Sequence, residues 1–203
     1  MMKKEHKVVI QEGDALSVTD MQLDFLSGGA LSVPGGDRLI PAMNRVIELF
    51  HSRKRPVFFS RDWHPRDHIS FKERGGPWPS HCVANTPGAA FHPDLKVPEG
   101  AVIVSKADRR DSEEYSTLYA RDRKGNTEKE LLEKSGTRRL FVAGLATDYC
   151  VLNTVVEALR AGIDTYVLTD AVCAVDVNPG DGERALKKMR EMGAKLTTTG
   201  DLT

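Results

Sequence analysis

Six short runs of strand-forming residues, most of them separated by a stretch of helical period, constrain this chain more than any other feature. Residues 15–20 (ALSVTD) read as a buried strand that ends on an acid, and residues 56–60 (PVFFS) as a second that runs into Asp62. Residues 101–106 (AVIVSK), 139–144 (RLFVAG) and 165–170 (TYVLTD) supply three more, and a last strand lies near residues 195–198. Between them, residues 37–51 place Leu39, Ile40, Met43, Val46, Ile47 and Phe50 at helical spacing, with Pro41 tolerable only near the first turn. Thr127 and Glu130 spell a capping box ahead of a helix that stops at Gly136. A helix over residues 150–161 puts Val151, Leu152, Val155, Val156 and Leu159 on one side and ends at Gly162, and another covers residues 181–192. Apolar strands alternating with helices predict a three-layer α/β/α architecture around a doubly wound, mainly parallel six-stranded sheet. A length of 203 residues suits one domain spanning 1–203, and no repeat or linker divides it.

Composition removes several classes of partner. Lys plus Arg and Asp plus Glu both number 29, so the chain lacks the basic excess expected of a nucleic-acid or membrane-surface binder. No apolar run approaches the ~18 residues of a transmembrane helix. The charged start, residues 1–7, leads only into Val8-Val9-Ile10, which makes no signal peptide, and a cytoplasmic protein is expected. Cys82, Cys150 and Cys173 stand far apart, which argues against a disulfide framework or a cysteine-rich zinc site.

Residues 63–100 break the alternation. They hold six of the ten prolines, both tryptophans and four of the six histidines, with no sustained period. Proline and tryptophan restrict and pack a chain, so this connection reads as an ordered active-site loop rather than a linker.

Parallel sheets bind ligands beyond the carboxyl ends of their strands. Asp20, Asp62 and Lys106 end the first three strands, and Cys150 lies a few residues beyond the fourth, where a helix begins. Singly, each has an ordinary explanation: turn acids, a surface lysine, a small buried hydrophobe. Together they form a nucleophile with its base. A cysteine at a helix start is favoured as thiolate, an acid can take its proton, and a lysine can hold that acid in place. In the loop, Asp62-x-His64 on extended chain points two donors the same way, and His68 and His81 follow. Such oxygen and nitrogen donors suit zinc, iron or manganese.

The runs Asp20-Met21-Gln22-Leu23-Asp24-Phe25, Asp62-Trp63-His64-Pro65, Trp78-Pro79-Ser80-His81-Cys82-Val83, Lys106 and Gly144-Leu145-Ala146-Thr147-Asp148-Tyr149-Cys150-Val151 occur in an order and spacing that resembles the nicotinamidase (pyrazinamidase) family of isochorismatase-like cysteine hydrolases. The resemblance spans about residues 12–200. It implies that Cys150 attacks the carboxamide carbon of nicotinamide, that Asp20 is the base, and that Lys106 completes the triad. It implies an oxyanion hole from the backbone amides of Ala146 and Cys150, with a cis peptide before Ala146. It implies one divalent ion, zinc foremost, held by Asp62, His64 and His81 and positioning the pyridine nitrogen; His68 is a ligand in some members and not in others. Phe25 and Trp78 match aromatic walls of the substrate pocket, Leu145 and Tyr149 flank it, and Tyr115 could close it. The small-molecule substrate is then nicotinamide, in NAD salvage, with pyrazinamide as a further substrate and a homo-oligomer allowed.

Three other readings use the same residues. Another hydrolase of the superfamily, acting on isochorismate or on ureido or carbamoyl groups, would have no use for the D-x-H…H loop. A non-catalytic metal-stabilised binding domain would close the site with Cys82 or His68 as a fourth ligand. A redox-sensing thiol would need a resolving cysteine near Cys150, and the spacing offers none.

Overall fold

A computed structural model describes residues 7–203; residues 1–6, within the charged start, lie outside the described residues. Six strands, β1 (Asp14–Thr19), β2 (Val57–Asp62), β3 (Val102–Lys106), β4 (Arg139–Leu145), β5 (Asp164–Cys173) and β6 (Lys195–Thr197), form one sheet in the order β3-β2-β1-β4-β5-β6. Every ladder is parallel, where a mainly parallel sheet was expected. The order reverses between β1 and β4, the place where a doubly wound sheet opens a crevice at its carboxyl edge.

Helices α1 (Ile40–Ser52), α2 (Glu128–Lys134), α3 (Leu152–Arg160) and α4 (Asp181–Glu191) cover the two faces. Strand alternation sorts the core between them. From β1 and β4, Leu16, Val18, Phe141, Ala143 and Leu145 join Met43, Val46, Ile47 and Phe50 of α1. Ala15, Leu140 and Val142 pack instead with Leu132 of α2, Val155 and Ala158 of α3, and Ala185 and Met189 of α4. Phe50 meets Phe141 edge-on at 5.3 Å between ring centres. Truncating a fully buried phenylalanine such as Phe50 to alanine would cost about 3–5 kcal/mol. No helix among the described residues is long and apolar enough to cross a membrane.

Local chemistry sets the element ends. Pro41 occupies the first turn of α1, where its missing N–H breaks no bond. The expected capping box opens α2: the Glu130 N–H donates to Thr127 Oγ1 at 3.2 Å, and the Thr127 N–H to Glu130 Oε2 at 2.8 Å. Beside it, Glu128 is turned inward and fully buried, and neither carboxyl oxygen has a partner at hydrogen-bonding geometry. Burial pushes its carboxyl up to about 7, and the nearby Thr117 and Ser17 hydroxyls offset only part of that. Gly144 adopts φ 112, and a Cβ there would lie 2.0 Å from the Thr19 carbonyl oxygen. β1 and β4 approach this closely only because the position is glycine.

The connection between β2 and β3 is ordered, with 3₁₀ turns at Lys72–Arg74 and Pro87–Ala89. Single bridges tie Phe71 to Trp78, His64 to Val83 and Gln22 to Phe91. Phe71, Cys82, Ala89 and Leu95 are buried beneath it. The Asp24 carboxylate accepts from the Cys82 N–H at 2.7 Å, pinning the loop to the segment after β1.

Candidate active site

The parallel register lines up the carboxyl ends of the central strands. Asp62 pairs with Lys106 across β2 and β3, so both side chains leave the same face of the sheet. Asp20 follows β1 directly. Three non-glycine residues here have left-handed backbone: Asp20 (φ 50), Cys82 (φ 44) beside His81, and Ala107 (φ 52) beside Lys106. Such conformations cluster where a fold holds side chains for a task rather than for its own stability.

Lys106 is the centre of the cluster. Its ammonium lies 2.9 Å from Asp20 Oδ2, donates to Cys150 Sγ at 3.4 Å and donates to Asp62 Oδ1. Ser60 Oγ donates to Asp20 Oδ1 at 2.7 Å. Burial alone would lower the Lys106 pKa, but the Asp20 and Asp62 charges outweigh it and hold the ammonium protonated well above its usual range. For Asp20 burial prevails over Lys106, and its carboxyl sits above the usual range. For Asp62 burial is outweighed by Lys106 and His64, and the carboxyl sits below that range.

Cys150 opens onto the cleft from a π-helical turn, Thr147–Val151, that precedes α3. The turn runs directly into α3, so the expected helix start at Cys150 is a π turn rather than an α turn. Burial pushes the Cys150 thiol well above its usual value, and the Asp20 and Asp62 charges add to this against Lys106. The thiol rests protonated, with a basic carboxylate as the neighbour able to receive its proton. The Leu145–Ala146 peptide just before this turn is cis.

Asp62, His64 and His81 bring ligand atoms within 4.8 Å of one another. His64 Nδ1 faces the Ala107 carbonyl oxygen at 3.0 Å, and His81 Nδ1 faces that of Pro79 at 2.8 Å. A carbonyl accepts only, so Nδ1 carries the proton in each ring and Nε2 keeps its lone pair. Buried His64 Nε2 has no hydrogen-bond partner. Two free imidazole nitrogens and a carboxylate suit a divalent ion. Asp20, Asp62 and Cys150 also converge within that distance, but the Lys106 ammonium already supplies the cation there. His68 stands apart: Ser70 Oγ at 2.7 Å and the Ser112 carbonyl oxygen at 2.9 Å occupy both its nitrogens, and its ring stacks on His64 at 4.3 Å. Both its nitrogens are engaged, and it packs against His64 rather than joining the Asp62–His64–His81 donor set.

A single cleft joins both clusters. Cys150, Ala146, Asp62, His64 and His81 form its floor, and Phe25, Trp78, Tyr115 and Tyr149 its walls. Trp78 meets Tyr149 edge-on at 5.0 Å and donates from Nε1 to the Tyr115 hydroxyl at 3.2 Å. Leu145 does not line the cleft. It alternates with Gly144 and points with Phe141 and Ala143 into the core under α1. Leu31, Glu113 and Val175 line the cleft instead, from segments with no period to announce them. Gln22, inside the quoted motif but given no role there, is wholly buried behind Asp62: its Nε2 donates to the Asp62 carbonyl oxygen at 2.8 Å and its Oε1 accepts from the Asp62 N–H at 2.7 Å. The three cysteines are free thiols.

Residues 14–201 match the isochorismatase domain family. The chain is 37% identical to the nicotinamidase of Escherichia coli K12, over 92% of this chain and 95% of the relative. Among solved structures, the pyrazinamidase of Pyrococcus horikoshii in complex with zinc is 46% identical with a TM-score of 0.84, covering 92% of this chain and 99% of its own. PnC1 from L. infantum in complex with nicotinate is 32% identical with a TM-score of 0.87, covering 97% and 98%.

Proposed function

The chain belongs to the isochorismatase family, and from that premise we propose that it hydrolyses nicotinamide to nicotinate and ammonia through a thioester on Cys150. The observation that carries this reading is the meeting of two clusters in one aromatic-walled cleft: a cysteine with a basic carboxylate and a lysine, and a carboxylate–imidazole donor set. Relatives named nicotinamidase, one neighbour solved with zinc and another with nicotinate support the substrate and the ion.

Asp62, His64 and His81 would hold one divalent ion, zinc by preference. When bound, the ion supplies a Lewis-acid anchor for the pyridine nitrogen. Phe25, Trp78 and Tyr149 sandwich and edge the flat ring, which fixes the carboxamide against Cys150 and trades translational freedom for reaction geometry. Asp20 takes the thiol proton as sulfur attacks the carboxamide carbon, and the N–H groups of Ala146 and Cys150 receive the charge that grows on the carbonyl oxygen. Asp20 then delivers the proton to nitrogen, the C–N bond breaks, and ammonia leaves a thioester. Water adds to that thioester, giving a proton to Asp20, which passes it to sulfur as the C–S bond breaks; the thiol is restored and the acid leaves, ionising to nicotinate. A carboxyl raised by burial is well matched to both halves of this exchange, and Lys106 steadies the negative charge wherever it stands between Asp20 and Cys150.

A purely structural metal domain is the weaker reading, because His68 has no free nitrogen and Cys82 is outside the converging donor sets found among the described residues. The deciding experiment is incubation of purified protein with nicotinamide, following ammonia and nicotinate together. Release of both, lost in Cys150→Ala, is expected; an inert wild type that cleaves isochorismate or a carbamoyl amide would overturn the substrate assignment.

A further inference from the structure

Besides Asp62, one other acid lines the cleft. Glu113 belongs to the aperiodic segment after β3 and is half-buried at the cleft wall beside Tyr115. Its Oε1 accepts from the Glu114 N–H at 3.0 Å, and no cation among the described residues pairs with it. Its charge reaches into the site: burial pushes the Tyr115 phenol up to about 12 with Glu113 adding to it, and Glu113 likewise acts on His68. An unpaired acid in a mostly aromatic wall needs a reason, and the charges on the floor provide one. At the floor and just beneath it, Asp20 and Asp62 bring two negative charges and Lys106 one positive. A divalent ion on Asp62, His64 and His81 would leave that floor with one surplus positive charge. Such a floor attracts anions, and the product of amide hydrolysis is an anion.

We propose that Glu113 is a specificity-determining residue whose negative charge cancels the surplus on the floor, so that the cleft accepts uncharged carboxamides and releases the carboxylate product. This rests on the nicotinamide reading for the identity of the ligands, and on the cleft geometry for the charge effect.

The test compares two alkylating agents of near-equal size and different charge at Cys150, in the metal-loaded protein, with the labelled peptide read by mass. Iodoacetate should modify wild type more slowly than iodoacetamide. In Glu113→Gln the iodoacetate rate should rise roughly three- to tenfold, the scale of one like charge across a small cavity, while the iodoacetamide rate stays within twofold. Glu113→Asp should behave as wild type, and added salt should reduce the gain in iodoacetate rate seen in Glu113→Gln. Nicotinate, measured by protection against iodoacetamide, should bind Glu113→Gln more tightly by a similar factor, with nicotinamide unchanged. If both alkylation rates move together, or neither moves, Glu113 is packing or a neutral hydrogen-bonding group and the proposal fails. Failure of the nicotinamide reading shows itself separately, as no ammonia from wild type, and leaves the alkylation comparison interpretable.

Discussion

The Gln22 side chain grips the Asp62 backbone from both sides, accepting from its N–H at 2.7 Å and donating to its carbonyl oxygen at 2.8 Å. A primary amide here does what a neighbouring strand would do, beyond the point where the β1–β2 ladder ends. Its second N–H, directed at the Ala89 carbonyl oxygen at 3.0 Å, fastens the metal loop to the same hub. Replacing Gln22 with alanine should therefore loosen Asp62 without touching its carboxylate. Groups that orient metal ligands typically govern affinity by 10–100-fold, and a zinc-competition titration of Gln22→Ala should show a loss on that scale. Retained wild-type zinc affinity would relegate Gln22 to packing.

Chelation should abolish hydrolysis while the fold survives. His64, His81 and Asp62 are each held by protein partners, Ala107, Pro79 and Lys106, before any ion arrives. Circular dichroism of the EDTA-treated protein should match the untreated sample, and activity should return on adding zinc. Unfolding on chelation would mean that the ion is structural.

The acid limb of kcat/KM should lie above the range of a free aspartate. Asp20 must be ionised to take the thiol proton, and burial raises its pKa, so activity falls as pH drops through that raised value. A rate that stays level down to about pH 4, where unperturbed aspartate titrates, would remove Asp20 as the base.

Glu128 predicts an unusual stability profile. An acid raised on folding binds more protons in the folded state, so this group's contribution to folding stability is full below its ordinary value of 4.5, declines as pH climbs, and is lost above about 7. The shift corresponds to roughly 2–4 kcal/mol. Glu128→Gln should therefore be more stable than wild type by that amount at pH 8 and about equal to it at pH 4. Denaturant melts at the two pH values decide; an equal difference at both would show that the carboxyl stays neutral throughout.

Residues that end a strand of clear period, such as Asp20, Asp62 and Lys106, were legible from sequence because strand ends are where a parallel sheet puts its chemistry. The histidines stood out by spacing, and only the resemblance ranked His81 ahead of His68; spacing alone does not separate them, since the difference is which nitrogens Ser70 and Ser112 already occupy. Leu145 was misassigned by its neighbourhood: alternation along β4 groups it with Phe141 and Ala143, and nearness in sequence to Ala146 does not carry its side chain into the cleft. Glu113, Leu31 and Val175 come from irregular chain, where no period tells which way a residue points. The π turn at Cys150 has the same hydrophobic pattern as an α-helix and differs only in its hydrogen bonding.

Asp62 and the nucleophile are coupled through Lys106, and labelling of Cys150 should reveal it. His64→Ala removes an imidazole that makes no hydrogen bond to Lys106 and should leave alkylation by iodoacetamide near wild type. Asp62→Ala removes a partner of Lys106 as well, and should change that rate by severalfold. Equal behaviour of the two variants would place the ammonium wholly in the service of Asp20.

The shared ammonium also bears on how such a chain can diverge. If Asp62, His64 and His81 hold an ion, a descendant that discards it but keeps Asp62 would set two buried carboxylates against one ammonium, and an uncompensated charge in a dry interior costs several kcal/mol. Loss of His64 or His81 carries no such penalty. Drift away from a metal would therefore be directional: the imidazoles can change without altering the charge, whereas Asp62 would give way to a neutral group, leaving Lys106 and Asp20 as a balanced pair.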